Sequence, residues 1–452
     1  MTKKNKTTKL ALFAGAAALA ALAPQVHAQS SDALIDKLVD KGILSSDEAK
    51  DLRDETDKDF KTAVAAKTGM PDWVTSYKLY GDFRGRFEQF SGDNSSLVDR
   101  TRERYRVRFG VAVNMLDNME AGFRLASGDN TKINGASVTT GNPLSSNSTM
   151  QDDGTKKMVY IDTAYGKWTP LNSGGWLLAA TVGKMDNPFN FTPMVFDPDL
   201  TPEGAAVNGS YAINDAHSIA FTGAGYVLDE ESGSTHDPFL YGGQVMWNAK
   251  WNSKWSSSLG AGALAICSPE SLTTANVPYV NQGNSRSSTG SLLYNYTPLI
   301  ADASVTYTLD SFPLYKGSFP IKLAGEVMNN PGAPDNNNGY WVGVTFGKSG
   351  AKKTWDLSYR YESIEADAWY DQLVDDDNGA FYKNAPLAGS SGYYGGTNVK
   401  GHLVKLSYSF TDSLTFSTSC FINDLISPQL ASAAGEPQST AIHFFADLMW
   451  KF

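Results

Sequence analysis

Cysteine and histidine are scarce in this sequence, and long apolar runs are lacking beyond its N-terminus. The 452 residues include two cysteines, Cys267 and Cys420, and five histidines. Two cysteines make no disulfide framework, and the histidines do not stand in a metal-ligand spacing. No stretch after residue 28 approaches the roughly 18 apolar residues of a transmembrane helix. We therefore predict no enzyme, no metal site, no cofactor and no helical membrane protein.

Positive charge is also in short supply, with 38 basic residues against 48 acidic ones and a formal net charge of −10. This acidity argues against a nucleic-acid partner. Four of the lysines precede the short apolar stretch "LALFAGAAALAALA", and small side chains follow at Val26 and Ala28. This pattern predicts a cleaved signal peptide over residues 1–28, and hence an exported protein. An N-terminal membrane anchor is the alternative.

Residues 29–70 have a different composition, charged and with a helical spacing of apolar residues. Leu34, Ile35, Leu38 and Val39 form a short stripe, and Ser45 with Glu48 resembles a capping box. We predict a periplasmic helical segment, with its helices near residues 31–67. It is either an amphipathic linker or an element for assembly or cell-wall anchoring.

From Trp73 onward the apolar period changes from 3.6 to 2, which predicts strands throughout residues 71–452. The expected strands number sixteen, although fourteen or eighteen remain open. Short turns such as 116–118 and 411–413 alternate with long polar connections such as 127–156 and 365–396. This alternation and the even count are typical of an outer-membrane β-barrel with both ends in the periplasm. The expected strands run near 73–89, 100–116, 119–126, 157–168, 175–185, 205–213, 217–228, 239–249, 255–268, 295–308, 319–329, 339–348, 354–364, 397–410, 413–424 and 440–452.

The stretch "RTRERYRVRFG" shows why the strands suit a barrel. On a strand its five arginines, at every second position from Arg100 to Arg108, share one face, while Tyr105, Val107 and Phe109 share the other. In a membrane barrel the apolar row would face lipid, and the charged row would face a water-filled interior. A soluble sandwich also alternates, and it is the competing interpretation. The basic residues expected to line the pore are Arg84, Arg86, Arg104, Arg106, Arg108 and Arg124.

The C-terminus supports a membrane barrel. In "AIHFFADLMWKF" the alternate row from Ile442 to Phe452 is apolar, and the last residue is aromatic. This row is similar to the C-terminal signature of bacterial outer-membrane barrels. We therefore expect Trp450 and Phe452 to act as the assembly signal that the barrel-assembly machinery recognises.

Several stretches resemble the bacterial family of "putative porins", which is related in architecture to the general trimeric porins. They are "LIDKLVDKGILSSDEAKDLR", "RLASGDN" with "GNPLSSNSTM", "VYIDTAYGKWTP" and "GKMDNPFNFTPMVFDPDLTPEGAA". The likeness extends over nearly the whole chain after the signal, and the last stretch is the most specific. The resemblance implies an outer-membrane diffusion channel, a homotrimer, and no defined substrate.

A barrel of sixteen strands is too wide for its wall side chains to fill, so a porin narrows its channel with an infolded loop. We expect residues 186–204 to be that loop, because four prolines stiffen it and three phenylalanines make it too apolar for solvent. Asp197, Asp199 and Glu203 would place negative charge opposite the arginines and set a transverse field. A surface loop packed on its own aromatics, and an arginine ladder that merely solvates the wall or pairs with Glu88 and Glu120, remain open.

The sequence therefore predicts a porin for small hydrophilic solutes and ions. The alternative is a barrel that serves mainly as a surface adhesin or as a tether between the outer membrane and the cell wall. Expected partners are outer-membrane lipid, a second and third copy of the chain, and peptidoglycan. Asp375, Asp376 and Asp377 form an acidic run that is expected to be solvated, with a calcium ion left open.

Overall fold

A computed structural model describes residue 49 and residues 70–92, 99–133, 136–278, 282–381, 393–427 and 440–452. The chain divides into two compact units, Met1–Thr75 and Ser76–Phe452. The predicted signal peptide lies outside the described residues, and so does the predicted helical segment apart from Ala49. No helix among the described residues is long and apolar enough to cross a membrane.

Sixteen strands pair in antiparallel order and close on themselves, which confirms the predicted count and the all-β barrel. Each strand pairs with its neighbours in sequence, and β16 returns to pair with β1. The strands are β1 Val74–Gly92, β2 Arg100–Met115, β3 Met119–Gly128, β4 Met158–Ser173, β5 Trp176–Lys184, β6 Glu203–Ala212, β7 His217–Val227, β8 Phe239–Lys250, β9 Trp255–Cys267, β10 Leu299–Leu309, β11 Phe319–Asn329, β12 Asn338–Gly347, β13 Thr354–Ile364, β14 Val399–Ser409, β15 Leu414–Leu425 and β16 Ala441–Lys451.

Connections at one end of the barrel are mostly shorter than those at the other. Turns of two to six residues join β2 to β3, β4 to β5 and the later pairs at the same end, except for nine residues between β10 and β11. The turn between β4 and β5 consists of Gly174 and Gly175, whose φ angles of 61° and 82° suit a two-residue type I′ hairpin. The longer connections leave from the other end. Two of them carry further short strands among the described residues: Asn130–Ile133, Ala136–Gly141 and Ser148–Thr149 after β3, and Gly379–Phe381 and Tyr393–Gly395 after β13.

Alternation along each strand separates an exposed apolar face from a covered inner face. On β11, Val327 is 57% exposed while its neighbour Met328 is 3% exposed. On β2, Val107 and Phe109 are exposed while Arg104 and Arg106 are buried. The period-2 pattern therefore decides which face each side chain takes, because successive strand residues point to opposite sides.

The apolar core lies on the inner face of the wall, away from the short turns. Inward residues of eight strands pack there against three long connections: residues 189–196, residues 368–374, and Leu272, Val277, Leu292 and Tyr296 between β9 and β10. The strand residues are Tyr226, Leu240, Leu264, Ile266, Ile300, Met328, Ile364, Val399 and Leu425. These connections consequently cover the inner wall instead of extending into solvent.

The seam between β1 and β16 carries the two expected assembly residues. Phe452 and Gly81 exchange backbone hydrogen bonds of 3.1 and 2.9 Å. The ring of Trp450 lies 5.6 Å from the ring of Phe83, its partner in the strand register. The last two aromatic positions thus lie where the barrel closes.

Candidate functional site

The arginines of β2 lie on one face, as the alternation predicts. All of them from Arg102 to Arg108 contact carboxylates. Arg106 donates from Nε to Asp82 at 3.0 Å and from a terminal nitrogen to Asp199 at 3.0 Å. Arg108 makes the same pair of contacts, at 2.7 Å to Asp82 and 3.5 Å to Asp199. Asp82 belongs to β1, and Asp199 belongs to the connection between β5 and β6. Two guanidinium groups thus join the wall to that connection.

A second group of contacts surrounds Arg86 on β1. Arg86 donates two hydrogen bonds to Asp447 on β16, at 2.8 and 2.9 Å, and forms a 3.4 Å ion pair with Asp377. Its guanidinium also lies 3.8 Å from the ring centre of Phe445. Arg84 donates to Asn147 at 2.8 Å and lies within 4.0 Å of both Asp199 and Asp447.

Glu88 on β1 is the carboxylate beside the N-terminal part of the arginine row, and it is 1% exposed. It accepts a hydrogen bond from Arg102 and lies 3.7 Å from Arg104. Its other oxygen lies 2.9 Å from Nε2 of His443. The pairing of the ladder with Glu88, which the sequence left open as an alternative, is therefore present. Glu120, the other expected partner, instead accepts from the hydroxyl of Tyr165 at 2.7 Å.

Arg124 on β3 stands apart from the ladder and has its own acidic partners. It donates to Asp162 on β4 and, at 2.6 Å, to Asp186 at the start of the connection after β5. Arg124 is 8% exposed. All six expected basic residues therefore have acidic or amide partners within the chain.

The predicted loop 186–204 corresponds to the connection 185–202, here called segment A. Asp197 and Asp199 lie in it: Asp199 pairs with the arginines, and Asp197 contacts Leu373 in the connection between β13 and β14. Glu203 does not: it is the first residue of β6, lies on the exposed row with Val207, and pairs with Lys184 at 3.1 Å. The predicted boundary lies two residues too far because "PEGAA" has the composition of a loop, although Gly204 and Ala205 already pair with β7 and β5.

The middle of segment A contacts other strands of the wall, β8, β11 and β12. Thr192 donates to Glu326 on β11 and accepts a 2.9 Å hydrogen bond from the indole of Trp341 on β12. The backbone nitrogen of Asn190 donates to Gln244 on β8 at 2.8 Å. The three phenylalanines of the segment pack on one another, with Phe189 5.4 Å from Phe191 and 5.8 Å from Phe196.

The two aspartates of segment A have opposite electrostatic surroundings. Burial tends to raise the pKa of Asp199, but Arg106, Arg84 and Arg108 outweigh it and hold the pKa below its usual range. Burial, with Asp376 and Asp375 next to it, raises the pKa of Asp197 well above its usual range. Asp199 is therefore a permanent anion at neutral pH, whereas Asp197 favours its neutral form.

Residues 365–381, here called segment B, are the part of the site that the sequence did not predict. The acidic run within it was expected to be solvated, but Asp375 is only 9% exposed. Trp369, Tyr370, Leu373 and Val374 are also buried, and they are the apolar signal by which the sequence could have indicated an inward segment.

Two groups of side chains in the described residues have the donor types of a metal site. Asp197, Asp375 and Asp376 have carboxylate oxygens within 4.8 Å of one another, and so do the ligand atoms of Glu88, Asp377 and His443. In the second group Glu88 already pairs with Arg102, and His443 Nδ1 lies 3.1 Å from the backbone oxygen of Asp377. The first group connects segments A and B, since Asp376 N donates to Asp197 at 3.1 Å.

Comparison with known families agrees with the resemblance found in the sequence. The family model described as "Putative porin" matches residues 92–266, from the end of β1 into β9. This match confirms the predicted family resemblance over that range. No curated protein matches the chain by sequence.

Solved structures share the architecture at low sequence identity. The high-pH structure of Pseudomonas putida OprB is 13% identical, with a TM-score of 0.51, and the alignment covers 86% of this chain and 96% of that one. The low-pH structure of the same protein is 11% identical with a TM-score of 0.44 over the same shares. A mutant of Rh. blastica porin is 10% identical with a TM-score of 0.40, covering 83% of this chain and 100% of that one. At 13% identity, the likeness to the high-pH structure shows the barrel fold.

Proposed function

We propose that this protein is an outer-membrane porin, a channel for the passive diffusion of small hydrophilic solutes and ions. The observation that carries the proposal is the division of the closed sixteen-stranded wall into an exposed apolar face and an inner face rich in charge. The first suits lipid and the second suits water. The match of residues 92–266 to the porin family supports the same function.

Segment A is the proposed constriction. At one end Asp199 contacts arginines of β1 and β2, and in its middle Thr192 contacts Glu326 and Trp341 on β11 and β12. Four strands separate these two pairs on the shorter way round the ring, so a segment that touches both spans part of the interior. Its prolines and packed phenylalanines make it stiff enough to hold a fixed opening.

The arginine ladder has two proposed roles at this constriction. Arg106 and Arg108 hold segment A through Asp199, while the whole ladder gives one side of the channel a positive wall. Aspartates of the segments give negative charge opposite this wall. Such an arrangement sets a transverse field that orients and sorts charged solutes.

The proposed location of the protein is a bacterial outer membrane. An apolar outer face, short turns at one end and long connections at the other support a barrel in an outer membrane, with its termini in the periplasm. The proposed assembly is a homotrimer inserted by the barrel-assembly machinery, with Trp450 and Phe452 as its signal. Residues 29–70 would form the periplasmic helical segment, in contact with the trimer or with peptidoglycan.

Liposome swelling tests the proposal. Vesicles that contain the purified, heat-modifiable protein are expected to swell in isotonic solutions of small sugars and amino acids, and more slowly as solute size increases. Vesicles with the same amount of heat-denatured protein are the control. Folded protein that gives no swelling with any solute would reject the channel and favour the adhesin or tether.

A further inference from the structure

Segment B is docked onto segment A by hydrogen bonds between their backbones. The nitrogen of Asp197 donates to the oxygen of Leu373 at 2.7 Å, and the nitrogen of Asp375 donates to the oxygen of Pro193 at 3.0 Å. The indole of Trp369, which has no exposed surface, donates to the oxygen of Val195 at 2.9 Å. These contacts make the two segments one packed unit.

The connection between β9 and β10 also contacts segment B. The amide of Asn284 donates to the backbone oxygens of Ala366 and Trp369 at 2.6 and 2.7 Å. Arg286 pairs with Asp371 at 3.4 Å, and the hydroxyl of Tyr296 donates to Asp367 at 3.0 Å. Buried hydrogen bonds of this number fix a segment in place, since each would leave an unsatisfied group if it broke. Segment B is thus held from two sides.

Segment B also contacts the charged wall directly. Asp377 pairs with Arg86, Asp375 lies 3.6 Å from Arg360 on β13, and Asn378 donates to Glu362 on the same strand. Segment B therefore lies between β13 and the arginines of β1, on the inner side of the wall.

From this docking, and on the premise of the proposed channel function, we infer that segment B is the second half of the constriction. It decides the charge preference of the channel through Asp375 and Asp376, together with Asp197 of segment A. The arginines of the ladder are largely balanced by partners within the chain. The charge that a passing ion meets then depends on these three aspartates.

The groups around these aspartates do not balance them. Two guanidinium groups face them: Arg360, which Glu362 shares at 3.3 Å, and Arg104 of β2. Arg104 is 7% exposed, and its Nε has no hydrogen-bond partner among the described residues. Asp199 and Asp377 also lie near these aspartates, but each has guanidinium partners of its own, Arg106 with Arg108 and Arg86 respectively. The three aspartates and Glu362 are therefore four carboxylates facing two guanidinium groups when all are ionised.

Ionisation of this junction depends on pH near neutrality. Burial and the nearby Asp377 raise the pKa of Asp375 to about 7, against the opposing effect of Arg360. Burial, with Asp377 and Asp375, also raises the pKa of Asp376. Because an unperturbed aspartate titrates near 3.9, these carboxyls gain charge only as the pH rises through this higher range. Cation preference should therefore increase with pH, and the segments should dock less firmly.

Reversal potentials in planar bilayers with a tenfold KCl gradient test this inference. For the unmodified protein, the cation-to-anion permeability ratio should rise by about twofold or more between about pH 5.5 and about pH 8.5. The Asp375→Asn/Asp376→Asn double variant should lose most of that rise. Asp335→Asn, at an exposed carboxyl between β11 and β12, is the matched control and should keep it.

The Trp369→Phe variant tests the docking separately, because it keeps an aromatic ring but removes the hydrogen bond to Val195. Its open-channel current noise should increase, with the barrel intact by heat modifiability on gels. A conducting channel whose permeability ratio is independent of pH, or is unchanged in the double variant, would overturn the inference and leave the porin function standing. Folded protein without any conductance would instead reject the porin function itself.

Discussion

Arg106 and Asp199 form a 3.0 Å ion pair between the barrel wall and segment A. The side chain of Arg106 is 4% exposed, and its Nε also donates to Asp82 on β1. One guanidinium therefore connects β1, β2 and segment A, the proposed constriction. Removing one partner of a buried ion pair typically costs about 3–5 kcal/mol, because the other charge remains uncompensated. We therefore expect the position of segment A to depend on this pair.

The first prediction concerns Asp199. Asp199→Asn should loosen segment A and raise single-channel conductance and current noise, because Arg106, Arg108 and Arg84 lose their shared anion. The barrel itself should remain heat-modifiable, since its strand pairing is untouched. Asp215→Asn, in an exposed short turn, is the matched control and should leave conductance unchanged. Equal conductance in both variants would show that Asp199 does not hold the constriction.

The second prediction concerns the arginine ladder. Replacing Arg104, Arg106 and Arg108 by Ser should shift the reversal potential toward cations, because three positive charges are removed while Asp82, Glu88 and Asp199 remain. The shift should shrink at high salt, since the Debye length falls from about 10 Å at 0.1 M to about 3 Å at 1 M. A triple variant with an unaltered reversal potential at low salt would place the ladder outside the conduction path.

The third prediction concerns the C-terminal residue. Deleting Phe452 should reduce the yield of heat-modifiable barrel, because its backbone bonds to Gly81 close the seam between β1 and β16. Phe410→Ala removes an exposed aromatic after β14 and should have a much smaller effect. Yields of folded protein that are equal for the deletion and the control would reject the terminal assembly signal.

The fourth prediction concerns residues 31–67. Their deletion should leave the barrel folded and conducting, because the described wall closes through β1 and β16. Oligomer size by crosslinking and retention on peptidoglycan should both decrease. If neither changes, this part of the chain is a linker.

Much of the wall could be predicted from the sequence, because strand alternation is a local property. The expected strand 100–116 matches β2 almost residue for residue. The expected strand 157–168 is too short, because β4 continues to Ser173 through a register shift between Trp168 and Leu171. Pro170 and the polar residues after it are typical of a turn, and the sequence alone does not show that their neighbours pair with β5.

The candidate site was only partly predictable, because its contacts join distant positions. The sequence indicates both the ladder and Asp199, but Arg106 and Asp199 are 93 positions apart and no spacing rule connects them. The acidic run in segment B predicts a solvated loop, which is wrong. The buried Trp369 shows that such a run can be inward when apolar neighbours anchor it. Which side chains become partners depends on how the barrel closes. A local sequence pattern does not contain that information.

Single-channel recording of the purified full-length protein in planar bilayers is the most direct test of the proposed channel. We expect stepwise, long-lived conductance increments from heat-modifiable protein, with step size increased by Asp199→Asn and unchanged by Asp215→Asn. Folded protein that inserts into the bilayer without producing any conductance steps would contradict the channel function.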